Sequence, residues 1–168
     1  MQTAEHKLEI KKGSPTNKED FITLRKLMAE ISGNQQTENS AELFERQKSL
    51  INIIDHIFFL GYVQEEAVGY LQLNIDRNIP GRKVGKIALG LLNDYADDVR
   101  NKKLLQRAQT YGIEEDLQRM EILVSTANFD QVNQLVQMGF QIDGKTRSLN
   151  TATEDDNNQD IYLMAKML

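Results

Sequence analysis

The chain has 168 residues, 40% hydrophobic and 27% charged, with a formal net charge of -5. That is the make-up of a single soluble globular domain spanning 1–168, and its acidic balance argues against nonspecific attraction to nucleic acid. With no cysteine, disulfides, thiolate metal sites and a cysteine nucleophile are excluded, and the two histidines, His6 and His56, are too far apart in sequence to suggest a metal site.

The opening residues, MQTAEHKLEIKK, lack the apolar core of a signal peptide, and no apolar run approaches the roughly 18 residues a membrane span needs. A cytoplasmic protein with no membrane partner is the expectation. Residues 7–12 then alternate, with Leu8 and Ile10 on one face, and predict an edge strand ended by Gly13-Ser14-Pro15. Thr16 or Asn17 caps a helix through about Ile31, with Phe21, Leu24, Leu27, Met28 and Ile31 at helical spacing, and Ser32-Gly33-Asn34 stops it. A polar connection over 34–40 leads to a second helix from Ser40 to about Ile54, its stripe formed by Leu43, Phe44, Leu50, Ile51 and Ile54.

IFFLGYV (57–63), a turn at 64–66 and AVGYLQLNI (67–75) predict an antiparallel hairpin, and Asn78-Ile79-Pro80-Gly81 turns the chain into a further antiparallel strand. That strand, KVGKIALGLL (83–92), is followed by a turn (93–100), a helix (101–112), a strand RMEILVSTAN (119–128) and a short helix DQVNQLVQM (130–138) ending at Gly139-Phe140. Both strands are nearly continuous apolar runs, the pattern of strands covered on both faces. Strands at 141–149 and 161–168 close the chain, separated by the acidic segment 151–160, which reads either as a solvated loop or as a recognition surface for a cationic amine. The element order predicts an α/β or α+β sheet with helices on both sides.

The functional expectation centres on the unit from Lys83 to Phe140. Two strands joined by a crossover of this length form a right-handed, parallel βαβ unit, and a ligand is expected where the first strand's carboxyl end meets the helix start. The unpaired amides there, around residues 97–102, suit phosphate oxygens.

LLNDYADDVRNKKLLQRA and VSTANFDQVNQLVQMGF (124–140) give this unit a resemblance to the GNAT acyltransferases, with Asn128 and Gly139-Phe140 on that family's most recognisable positions and DIYLMAKML resembling its last strand. The resemblance implies a mixed, mostly antiparallel seven-stranded sheet with a parallel central pair. It also implies acetyl-CoA as acyl donor and an amine-bearing acceptor; no metal is expected from the cysteine and histidine content, and a homodimer stays open. By family position it implies a main-chain amide of Leu91 or Leu92 on the acyl carbonyl and the diphosphate on Asp97, Asp98, Val99, Arg100, Asn101 and Lys102. The Asn128 side chain would lie on the pantetheine arm. This chain departs from the family pattern in having no glycine over 96–101 and in placing Leu135 where many members have a proton-donating tyrosine.

No catalytic residue is assigned from sequence: Asp94, Tyr95, Tyr70 and Tyr111 all have structural readings as strong as chemical ones. Three functions stay open. The first is N-acyl transfer from acyl-CoA to an amine of a small molecule or peptide. The second is a GNAT-fold binding or interaction module without turnover. The third is an unrelated α/β ligand-binding domain, which would lack a splay between the strands at 84–92 and 120–127.

Overall fold

In a computed structural model, residues 7–33, 56–77, 80–146 and 160–168 are described. The second helix expected over 40–54, the connection at 34–40 and nearly all of the acidic segment 151–160 lie outside them. The described strands are β1 (Glu9–Lys12), β2 (His56–Val63), β3 (Glu66–Asp76), β4 (Val84–Leu91), β5 (Arg119–Ser125), β6 (Gln141–Thr146) and β7 (Ile161–Met167). The described helices are α1 (Lys18–Ser32), α2 (Asp98–Glu114) and α3 (Phe129–Gln137), with a 3-10 turn at Asn93–Tyr95.

The strands form one sheet in the order β1-β2-β3-β4-β5-β7-β6. β4 and β5 are parallel and every other pairing is antiparallel. The last strand inserts between β5 and β6, so the crossover unit is sealed by the chain's carboxyl end.

Local chemistry accounts for most of the boundaries. The Asn17 side chain accepts from the backbone N–H of Glu19 at 2.9 Å and Asp20 at 3.2 Å, which caps α1, and Gly33 ends that helix at φ 74. Gln64 and Glu65 turn β2 into β3 with φ of 49 and 68, the left-handed pair that a two-residue hairpin loop requires. At the end of α3, Gly139 takes φ 94, and the Phe140 N–H returns to Leu135 O at 2.9 Å while its ring enters the core.

Two apolar layers flank the sheet. Phe59, Leu71, Leu73, Ile87, Met120 and Ile122 face Leu104, Leu105 and Ala108 of α2 and Leu135 of α3. On the opposite face Phe58 and Leu60 pack on Leu24 and Leu27 of α1. Burying each such side chain contributes about 1.5–3 kcal/mol, so helices on both faces follow from alternate strand residues being apolar on both sides.

Two expectations are corrected. β4 and β5 are not covered along both faces: burial alternates along each, and Leu123 is 64% exposed on the α1 side. Helix α2 begins at Asp98, three residues before the expected start, because Asp97 supplies the cap.

Candidate functional site

The parallel ladder between β4 and β5 runs from Val84↔Arg119 to Ile87↔Ile122 and stops there, although β4 continues to Leu91 and β5 to Ser125. Beyond Ile87 and Ile122 the two strands splay. A cavity of about 720 Å³ occupies the gap. Its lining comes from both sides of the sheet. Ile87, Leu89, Leu91, Ile122 and Val124 belong to the α2/α3 side, whereas Lys86, Ala88, Gly90, Glu121, Leu123 and Ser125 alternate to the α1 side, where Ile31 joins them. The gap is therefore a slot through the sheet.

Backbone donors reach this slot in a definite way. The Leu92 N–H is spent on Val68 O of β3 at 2.8 Å. Along an antiparallel ladder with no register shift, successive N–H groups alternate sides, so the Leu91 N–H turns away from β3 and into the gap. Of the two amides expected to hold an acyl oxygen, Leu91 is the one so placed.

At the α2/α3 mouth the slot adjoins a recess of about 220 Å³ whose walls include Leu91, Asp97, Asp98, Asn101, Asn128, Asp130, Gln131 and Gln134. The recess sits at the start of α2. Asp97 accepts from the Arg100 N–H at 2.7 Å, and the Asn101 N–H is already inside the helix, bonded to Asp97 O at 3.0 Å. The N–H groups of Asp98 and Val99 remain without an acceptor among the described residues, as first-turn donors do. Arg100 turns back to pair with Asp97 and lies 5.6 Å over the Tyr95 ring, and Lys102 lines a second recess beside Asp130 and Asn133.

Three carboxylates, Asp97, Asp98 and Asp130, thus line this recess with Asp98's open amide, while Val99 lines the neighbouring recess with Lys102. The helix start offers donors to an anion, while its own acids compete for the same partial positive charge.

A side-chain network unforeseen from sequence joins α2 to α3. The Asn101 amide donates to Gln131 Oε1 at 2.8 Å and also to Gln134 Oε1, and Gln134 Nε2 donates to Asp98 O at 2.7 Å. Gln134 is buried with all of these bonds made. Polar residues on helices read as solvent-facing in sequence, and the available signal was Gln134 sitting beside the core residue Leu135. Asn128 follows β5, lines the slot, and caps α3 by accepting from the Gln131 N–H at 3.3 Å.

The remaining expected residues lie elsewhere. Leu135, at the family's tyrosine position, is fully buried in the core and is absent from the slot lining. Tyr111 is buried edge-on to Phe59 with ring centroids 5.7 Å apart. Asp94 and Tyr95 form the 3-10 turn outside the slot. Tyr70 is half-buried beside Gly90 on the α1 side, and burial raises its pKa above the ordinary 10.0, so its hydroxyl stays protonated.

No family model matches the chain, and no curated protein sequence matches it. Solved structures do. The GNAT-family acetyltransferase from Streptococcus pneumoniae superposes with a TM-score of 0.75 at 20% identity, over 96% of this chain and 100% of that one. The spermidine/spermine N-acetyltransferase SpeG from Vibrio cholerae, in complex with manganese ions, gives 0.75 at 17% identity over 95% and 92%. The NatC complex bound to Gag peptide and CoA gives 0.71 at 16% identity over 96% and 99%. Sheet order, the single parallel pair and its splay match this likeness: the chain has the GNAT acetyltransferase fold.

Proposed function

We propose that the protein is an acyl-CoA-dependent N-acyltransferase, moving an acetyl group from acetyl-CoA to a primary amine. The observation that carries this reading is the slot past Ile87 and Ile122 with the Leu91 N–H turned into it. A fixed backbone donor suits an oxygen that gains charge as the amine attacks, because it needs no reorganisation during the reaction.

In this reading the pantetheine arm enters from the α2/α3 side, past the side-chain amides of Asn101, Asn128 and Gln131. Those groups offer donors and acceptors to an arm that itself contains two amides. The open N–H groups of Asp98 and Val99 receive phosphate oxygen, and Lys102 lies near enough to add positive charge. The amine approaches from the α1 side, where the slot lining is mostly small or apolar, with Asn74, Lys86 and Glu121 at one end. With Leu135 in the core, a proton for the departing thiolate comes from water or from the ammonium that forms on attack. That CoA or acetyl-CoA accompanies two structural neighbours, and that others carry the names of spermidine/spermine and ribosomal-protein-alanine N-acetyltransferases, supports the donor and the acceptor class.

Calorimetric titration with acetyl-CoA, followed by a thiol-release assay over a panel of small amines and peptides, tests the proposal. Saturable binding with amine-dependent thiol release is the expected result. No saturation at millimolar coenzyme overturns it. The carboxylates at 97, 98 and 130 favour a second reading, a binding module that holds coenzyme without turnover, and binding with no thiol release on any amine would select it.

A further inference from the structure

The slot has two chemically different ends. At one end the Leu91 N–H faces the gap. At the other, Glu121 stands opposite Lys86 within the last paired stretch of β4 and β5. Among the described residues lining the slot, these two are the ionisable ones.

Their surroundings distinguish them. The Lys86 ammonium lies 3.5 Å from Asp76 of β3. Arg119 donates from Nε to Glu121 Oε1 at 2.9 Å and extends Nη2 to Asp143 at 2.5 Å, dividing one positive charge between two carboxylates. Glu121 and Asp143 thus share the Arg119 guanidinium, and Lys86 is engaged by Asp76. The second oxygen of Glu121 has no partner among the described residues, and the side chain is 21% exposed, half-sheltered yet reachable from the slot. An oxygen of this kind is a ready acceptor for an ammonium donor.

Separation decides what such an ammonium can be. Lys86, level with Glu121, is five residues from Leu91 along β4, about 16 Å at roughly 3.3 Å per residue. Glu121 is thus too far to touch the nitrogen attacking a carbonyl held at Leu91. Between the two ends lie Ile31, Ala88, Gly90, Leu123 and Leu163, all small or apolar.

We infer that the acceptor is a dication, carrying a second positive nitrogen across an apolar spacer from the one acylated, and that Glu121 is the specificity-determining residue that holds this second nitrogen. The inference rests on the transfer reaction proposed above and narrows its acceptor. Arg119, buttressed by Asp143, positions the Glu121 carboxylate, and Lys86 is drawn aside by Asp76 and does not neutralise it.

Steady-state transfer to diamines from diaminopropane to diaminooctane, against monoamines of matching length, tests this in the wild type, Glu121→Gln and Asp143→Asn. In the wild type KM falls as the spacer lengthens, and the longest diamines outperform their monoamines about tenfold, the worth of one charge-assisted contact. Glu121→Gln removes that advantage through KM, leaving kcat, monoamine transfer and the KM for acetyl-CoA unchanged. Asp143→Asn, which keeps the Glu121 carboxylate but leaves the whole Arg119 charge to it, weakens the preference only in part. Equal losses on both amine classes, equal losses in both variants, or no preference in the wild type overturn the inference.

If the wild type acylates no amine, the transfer reaction fails by itself. Calorimetric titration of the protein with diaminooctane then decides separately: binding that Glu121→Gln abolishes supports the dication site, and absence of binding, or binding equal in both, overturns it.

Discussion

Asp97 holds Arg100 at both ends, accepting its backbone N–H at 2.7 Å and pairing with its guanidinium. One side chain thereby starts α2, removes a donor from the candidate diphosphate site and neutralises the nearest arginine. Replacing Asp97 by Ala is expected to cost about 1 kcal/mol of stability through loss of the cap, read by urea denaturation. Asp97→Ser keeps a capping oxygen without the charge. It should leave stability nearly unchanged while tightening acetyl-CoA binding at low salt, with the gain shrinking as salt is raised.

The contact of Asn101 with Gln131 and Gln134 ties the second turn of α2 to α3. Asn101→Ala leaves the buried Gln134 oxygen without its donor, and a loss of about 1–3 kcal/mol is expected. A double-mutant cycle of Asn101→Ala with Gln134→Ala should show coupling well above experimental error, since the two share one network. Additive losses would mean that the bridge contributes nothing beyond packing.

Leu135 occupies a core position among α2 and the sheet. Truncation to Ala should cost about 2–5 kcal/mol. Leu135→Tyr, which restores the family's usual side chain, is expected to lower stability by overpacking and to leave kcat where it was, because the site lies outside the slot lining. A large gain in kcat with unchanged stability would show that residue 135 reaches the reacting atoms.

These positions show where sequence was informative. Asn17, Gly33 and Gly139-Phe140 were readable because caps and helix stops depend on a residue's own side chain or backbone freedom. Apolar runs of strand length likewise carried the strands, and the length of the crossover carried the parallel pair. The true start of α2 was obscured because Asp97 and Asp98 both suit a helix N-terminus and nothing local selects between them. Strand order beyond β5 was not legible either, since the insertion of β7 beside β5 is a long-range pairing. Within the site, Leu91 over Leu92 was undetermined until the ladder to β3 placed the Leu92 N–H on Val68. Glu121 lay hidden in an apolar run, its only sign being the i, i+2 spacing from Arg119.

Gly90 is constrained by close neighbours. A Cβ there would lie 2.9 Å from Tyr70 Cε1 and 3.0 Å from Ile31 Cγ2, both tighter than ordinary contact. Gly90→Ala is expected to destabilise by about 1–3 kcal/mol and to raise the acceptor KM by narrowing the α1 side of the slot. Unchanged kinetics in a folded variant would argue against amine entry from that side.

Alkaline pH offers an independent check on Tyr70. Burial raises its pKa above 10.0, and Tyr62 is raised in the same direction by burial and then by Asp20. Below pH 10.0 folded and unfolded tyrosines are both protonated, so their contribution to stability is complete and constant. As pH climbs from there toward the folded-state values, the unfolded chain ionises first and that contribution is lost. Lys103 acts oppositely: burial and then Lys7 lower its pKa from 10.5, so stability rises with pH through the window just below that value. Tyr70→Phe should therefore flatten the alkaline decline in melting temperature, and an unaltered decline would place the effect elsewhere.

A gap that pierces the sheet gives donor and acceptor separate approaches, so neither need leave before the other arrives. For the proposed transfer this favours a ternary complex assembled in either order, with initial-rate lines that intersect instead of running parallel. A chain without cysteine has no thiol to carry the acyl group between half-reactions, which points the kinetics the same way.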